Sequence, residues 1–401
     1  MKQKNKFKQT EIGLIPEDWE VKKLGQVLEI KYGKDHKKLT EGNIPCYGSG
    51  GIMRYVNQSI SNDESVLIPR KGSLNNIYYL NKPFWTVDTI FWTKINHKLI
   101  VPKFLFYKLK LYDFVSGNLG SAVPSMTVSF LNEIKVPLPP LPEQSAIAKI
   151  LSDLDSKIEL LQKQNETLEK IGQAIFKHWF VDFEFPNEEG KPYKSSGGKM
   201  VESELGEIPE GWSVGKLGDI IDKTNKSVKA GEGLKGRKYV PIDKLPMKKL
   251  SFDDYLPYNE AKSSLISFEK NDILLGAMRV YFHRVNISPF AGVTRTTTFV
   301  LRPKESHLLE FSLFLLHQDS TIDFANQNSR GSTMPYAVWK NSLENMPIII
   351  PDGKILSDFS ILLNSTIKRI RDSIFELRNL QKTRDLFLPK LMTGKIRVKI
   401  K

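Results

Sequence analysis

Two short stretches hold the side chains best suited to chemistry on a polyanion. IPRKGSLNN at 68–76 sets Arg70, Lys71, Ser73, Asn75 and Asn76 around a glycine, and GAMRVYFHR at 276–284 sets Arg279, Tyr281, His283 and Arg284 in a corresponding slot. Forked and amide side chains suit base edges, while Lys, Arg and small hydroxyl donors suit phosphates. CYGSGGIMRY at 46–55 adds Tyr47, Ser49, Arg54 and Tyr55, and TRTTT at 294–298 adds Thr294, Arg295, Thr296 and Thr297. The turns GSAVPS (120–125) and GSTMPY (331–336) offer Ser121, Ser125, Ser332 and Thr333 as phosphate donors. Taken alone, any one of these cations reads as a solvated surface charge, and His283 as a packed or surface histidine. The grouping carries the signal.

Catalytic signatures are missing from the sequence. There is no G-x-x-x-x-G-K-[ST] nucleotide loop, and GSGG at 48–51 reads as a turn. The six histidines show no metal-ligand spacing, and no G-x-S-x-G elbow marks a serine nucleophile. NKPF at 81–84 lacks the second residue of an Asn/Asp-Pro-Pro-aromatic methyltransferase tetrad. Asp182, Glu189 and Lys191 mimic a nuclease spacing but fall in a Pro/Gly/Ser stretch. No metal site and no cofactor of its own are therefore expected.

The elements that position these loops come in duplicate. EIGLIPEDWEVKKLG at 11–25 and ELGEIPEGWSVGKLG at 204–218 agree at ten of fifteen positions, including Trp19/Trp212 and Gly25/Gly218. A second echo, GSAVP then VPLPP, is answered by GSTMP then MPIIIP. The chain thus repeats a unit of about 190 residues, far longer than a solenoid repeat. Residues 11–136 mix strand-like runs at 65–69, 77–80 and 89–94 with a helical stretch at 102–114, a mixed α/β pattern.

A helix is expected over about 143–180, after a stiff extended PLPPLPEQ connection at 137–144. Its apolar residues alternate three and four apart, with Leu151, Leu154, Ile158, Leu161 and Leu168 on a seam and Asn165 and Gly172 filling two seam positions. A final helix over about 357–392 carries Leu363, Ile367, Ile370, Ile374 and Leu377, is interrupted at Gln381 and Arg384, and is expected to kink or end at Pro389. Residues 182–204 read as a linker by composition. The fold class is α+β: two similar α/β domains separated by two long helices that form an antiparallel coiled coil, a pseudo-two-fold internal repeat. At ~1.5 Å per residue the helical rod would be about 50 Å long.

Fifty-nine Lys and Arg against 45 Asp and Glu leave a formal net charge of +14, which favours nucleic acid as the partner. Cys46 is the lone cysteine, no run of apolar residues reaches membrane-spanning length, and no signal peptide is evident; a cytoplasmic protein without a membrane partner is expected.

The W-x-x-x-x-LG entries at Trp19 and Trp212, the 137–185 run PLPPLPEQSAIAKILSDLDSKIELLQKQNETLEKIGQAIFKHWFVDFEF and the terminal LPKLMTGKI (388–396) together resemble the specificity subunit of type I restriction–modification systems. The likeness spans essentially the whole chain. It implies two target-recognition domains (1–136 and 205–350), two helical spacers (137–181 and 351–401) and a linker (182–204). The implied partners are double-stranded DNA, two methyltransferase subunits and motor-nuclease subunits. S-adenosylmethionine, ATP and Mg would belong to those subunits. Two competing readings stand beside it: an autonomous two-headed DNA-binding regulator, and a coiled-coil scaffold whose heads bind protein.

Overall fold

The computed structural model describes residues 6–114 and 125–398. The chain forms two compact units, one from residues 1–158 with 380–401 and one from residues 159–379. Both long helices cross from one unit to the other.

In the first unit, Ser65–Pro69 is buried along its whole length, as its unbroken apolar run requires. It lies inside an antiparallel four-stranded sheet ordered Leu28–Tyr32, Ile90–Ile95, Ser65–Pro69, Tyr78–Leu80. A three-stranded sheet, Gly51–Val56 with Ile44–Gly48 and Trp85–Thr86, carries the 46–55 stretch. The helix expected over 102–114 is shorter, Pro102–Lys110. Past its end Tyr112 and Phe114 leave helical spacing and pack against each other, ring centres 4.8 Å apart and tilted by 53°.

The second unit repeats the arrangement. Its four-stranded sheet is ordered Ile221–Thr224, Thr298–Pro303, Ile273–Gly276, Val285–Ile287, again all antiparallel. In both units the duplicated entry motif forms a strand that pairs with the segment leading into a long helix: Glu20–Lys23 with Lys135–Leu138, and Ser213–Lys216 with Pro347–Ile350. Residues 135–138 are therefore a strand rather than a free connection. Pro137 is tolerated because this is a two-stranded edge.

The first long helix spans Leu141–Phe180 and the second Gly353–Met392. The second continues three residues past Pro389, because Leu391 and Met392 are buried in the first unit's core and hold the last turn in place. It stops at Gly394, whose φ of +68° suits glycine. Every seam residue is buried or half-buried. Within the second unit the two helices meet at Ser373, whose hydroxyl lies 2.6 Å from Asn165 Oδ1, and at Phe359, whose ring is 5.6 Å from Trp179. In the first unit the Arg384 guanidinium donates to Asp155 of the first long helix at 3.0 Å. Gly172 sits under the ring of Phe314, where a Cβ would come within 2.9 Å of Cε1.

The 182–204 segment is packed, contrary to its composition. Phe185 stacks on Trp212 at 4.9 Å and on Tyr193 at 4.5 Å, and Met200–Val201 pairs with Ile208–Pro209. Three aromatic anchors outweigh the Pro, Gly and Ser around them.

Candidate nucleic-acid interface

In the first unit the 46–55 and 68–76 stretches come together around Ser49. Asn76 donates its side-chain amide to the Ser49 carbonyl at 2.9 Å, and the Thr89 hydroxyl accepts the Ser49 N–H at 3.3 Å. Gly72, at φ +80°, faces the Ser49 hydroxyl so closely that a Cβ would stand 2.9 Å from it. Ser73 and Asn75 are exposed at the loop crest. Arg70 and Lys71 are half-buried at its base; Arg70 donates to the Asp88 carbonyl at 3.3 Å and lies 5.4 Å from the Tyr32 ring centre. Tyr47 is half-buried against Tyr78, at 5.6 Å between rings.

In the second unit three stretches converge. Arg279 donates its backbone N–H to the Pro335 carbonyl at 2.7 Å, and the Tyr336 hydroxyl donates to the Thr296 carbonyl. The 278–284, 294–298 and 330–336 segments thus share one surface. Arg279 and His283, at φ +51° and +52°, bracket the single 3-10 turn Val280–Phe282, a left-handed pair that tilts Tyr281 into solvent. The Arg284 guanidinium packs 5.2 Å from the Phe282 ring, while Arg295 and Ser332 are exposed.

The two surfaces hang on the same main-chain lattice. In the first unit the Thr89 carbonyl accepts from Arg70 N and Lys71 N at 2.9 and 3.2 Å, and Arg70 O accepts from Met126 N at 2.8 Å. In the second the Thr297 carbonyl accepts from Ala277 N and Met278 N at 2.9 and 3.3 Å, and Ala277 O accepts from Ala337 N at 2.9 Å. Bridges Lys71–Ser125 and Met278–Tyr336 complete each frame. Arg70, Lys71 and Gly72 therefore correspond to Ala277, Met278 and Arg279.

A family model described as "Type I restriction modification DNA specificity domain" matches residues 16–170 and again 209–376. The chain belongs to the type I specificity-subunit family. The MjaIX specificity subunit of Methanocaldococcus jannaschii is 30% identical over 98% of this chain and 96% of the archaeal protein. The HindI specificity subunit of Haemophilus influenzae is 23% identical over 75% of this chain and 79% of its own. The crystal structure of the S subunit from M. genitalium shares the fold, with a TM-score of 0.62 at 16% identity over 96% of this chain and 98% of that one. The relatives are named for specificity, and a specificity subunit is not itself the enzyme. Among the described residues, no helix is long and apolar enough to cross a membrane, and no cluster of His, Cys, Asp and Glu is arranged to hold a metal.

Three expectations for this specificity subunit need correction. Thr294 is fully buried, and its hydroxyl donates to the Val240 carbonyl at 2.7 Å, so it supports the sheet instead of reaching outward. Asn76 uses its amide internally. Arg54 donates to the Leu39 carbonyl at 3.1 Å and braces the hairpin. His283, expected packed or at the surface, is packed: it is buried beside His317, with ring centres 4.6 Å apart, and Asp319 lies 3.2 Å from its Nδ1. Burial lowers His283 and holds His317 down to about 4, so neither serves as a phosphate-binding cation near neutral pH. Ser121 and its turn, 120–124, lie outside the described residues. Sequence reasoning passed over Thr89 and offered Thr297 only for its side chain, whereas it is their carbonyls that organise each frame; a backbone acceptor leaves no residue-type signal.

Proposed function

We propose that this chain is the noncatalytic subunit that gives a type I restriction–modification enzyme its DNA sequence specificity. Each unit's loop cluster reads one half of a split site. The observation that carries this reading is the repeated lattice bearing different side chains: Arg70, Lys71 and Gly72 in one frame, Ala277, Met278 and Arg279 in the other. The same frame supports the same task, and different side chains support two different half-sites, hence an asymmetric target. The exposed or base-lying candidates Ser49, Arg70, Lys71, Ser73 and Asn75 serve the first half, and Arg279, Tyr281, Arg284, Arg295 and Ser332 the second.

The Asn165–Ser373 and Trp179–Phe359 contacts support antiparallel pairing of the two long helices, since one residue number rises as the other falls. The functional segments are 1–136 and 205–350 for recognition and 137–181 and 351–401 for the helical spacers. The spacers dock two methyltransferase subunits, with motor-nuclease subunits added for restriction. S-adenosylmethionine, ATP and Mg act in those partners.

The test is to purify the chain with its partner methyltransferase and map methylated adenines. An asymmetric split motif is expected. Replacing Arg70 and Lys71 together with alanine should weaken the first half-site alone and lower the log–log salt slope by about 0.9 for each phosphate no longer neutralised. A contiguous motif, or equal weakening at both halves, would refute the two-head reading. Tight site-specific binding without any co-purifying methyltransferase would favour the autonomous regulator instead.

A further inference from the structure

Each unit exposes large apolar side chains on the loops that carry its polar readers. Ile52 and Met53 are 49% and 58% exposed on the returning strand just past the Gly48–Gly51 turn of the 44–56 hairpin, and Met334 is 55% exposed in the 331–336 turn. No core cluster includes them. They are nevertheless held in place. Met53 lies over the bare backbone of Gly48, where a Cβ would come 2.7 Å from its sulfur. The hairpin tip is tied to the 70–76 loop through the Ser49 carbonyl and the Asn76 amide at 2.9 Å. Met334 sits between Gly331, at φ +90°, and Pro335, whose carbonyl accepts the Arg279 N–H at 2.7 Å. In both units the apolar tip is therefore fixed by hydrogen bonds to the arginine-bearing loop.

We propose that Ile52 and Met53 in the first unit, and Met334 in the second, are specificity-determining residues that pack against thymine methyl groups in the major groove. This rests on the DNA-reading function proposed above. These side chains can donate no proton, so they add nothing to phosphate holding. The apolar group that base edges present in the major groove is the thymine C5 methyl. Methionine, unbranched and polarisable, fits such a contact without a preformed socket. Continuity with the Arg70 and Arg279 loops places the tips beside the polar readers, which fix the duplex while the methyl contact selects T over C.

Thymine and deoxyuridine differ only by that methyl, so the experiment compares duplexes bearing the mapped site with either base in each half. The probe protein is the full chain in complex with its methyltransferase. Burying one methyl is worth about 0.8 kcal/mol, so each contacted thymine replaced by uracil should weaken binding about fourfold. Ile52→Ala with Met53→Ala should erase the preference in the first half only, and Met334→Ala in the second only, while Met53→Leu keeps it. These positions are exposed, so an unchanged melting temperature is the folding control. Equal affinity for both bases, discrimination that survives the substitutions, or a mapped half-site without an A·T pair overturns the inference for that unit. Increased 2-aminopurine fluorescence with no thymine preference would also overturn it, since it would mean the tips wedge between bases. Loss of site-specific binding to both duplexes by the unmutated complex would sink the DNA-reading function itself.

Discussion

Gly172→Ala tests the packing that seats the second unit on its long helix. In an exposed helix the change would stabilise by about 1 kcal/mol, because glycine is the weaker helix former. Here the new methyl would stand 2.9 Å from Cε1 and 3.3 Å from Cε2 of Phe314, and closer still to Cζ. Phe314 cannot retreat: it is fully buried, with Phe176 and Phe359 at 6.1 and 6.3 Å between ring centres. Overpacking of this kind costs about 1–3 kcal/mol, and the rigid aromatic surroundings put it near the top of that range. The net expectation is a loss of about 2 kcal/mol. For a unit of this size that lowers the melting temperature by about 4–8 °C. Urea unfolding followed by tryptophan fluorescence reads the effect, since Trp179, Trp212 and Trp339 all lie in this unit. In a Phe314→Leu background the shorter side chain should relieve the clash, and Gly172→Ala should become neutral or stabilising there. A neutral or stabilising effect in the unmodified chain would refute the packing argument.

Asn165→Leu should raise stability by roughly 1 kcal/mol, because an apolar seam residue replaces an amide while the Ser373 hydroxyl keeps the Ile370 carbonyl, 2.8 Å away, as its acceptor; a clear drop in melting temperature at unchanged oligomer size would count against a buried seam position. Glu169 is buried, and burial raises its carboxyl from the usual 4.5 to about 7. The folded state therefore holds an extra proton between those values, and the associated stability is present below pH 4.5 and lost as pH rises through 7. Glu169→Gln, which still accepts from the Leu250 N–H, should flatten that profile and gain roughly 3 kcal/mol at pH 8. Parallel melts at pH 5 and pH 8 check the sign; an equal effect at both would be contrary to it.

Much of the scaffold was legible because its signals are local or periodic. The three-four alternation from Leu151 to Leu168 and from Leu363 to Leu377 announces long helices regardless of what they touch. The Trp19 and Trp212 entries expose the repeat. What stayed hidden depends on distant partners. Residues 137 and 138 open what reads as a stiff connector over 137–144, until Glu20–Lys23 supplies the other strand. Thr294 reads as one of several polar candidates in 294–298, yet it lies within the strand Gly292–Arg295 and its hydroxyl donates to the Val240 carbonyl. The 182–204 stretch has a linker's composition, and only the meeting of Phe185 with Trp212 makes it part of a core. For the candidate site, residue type singles out loops but not which amides are already engaged: Asn75 and Asn76 are adjacent and alike, and only Asn76 donates to Ser49.

The hydrogen bonds that the Thr89 and Thr297 carbonyls accept come from peptide N–H groups. A hydrogen bond between main-chain atoms is indifferent to the side chain attached, apart from proline and conformations with positive φ. On the proposed function, substitutions at the crest would thus alter what is read without unmaking the support beneath. A change of recognised word by single replacements at the crest, with the fold kept, is the consequence expected of that proposal. The same property marks these crests as the place to graft residues when a new recognition sequence is wanted, with the threonine-centred frame left untouched as the fixed chassis.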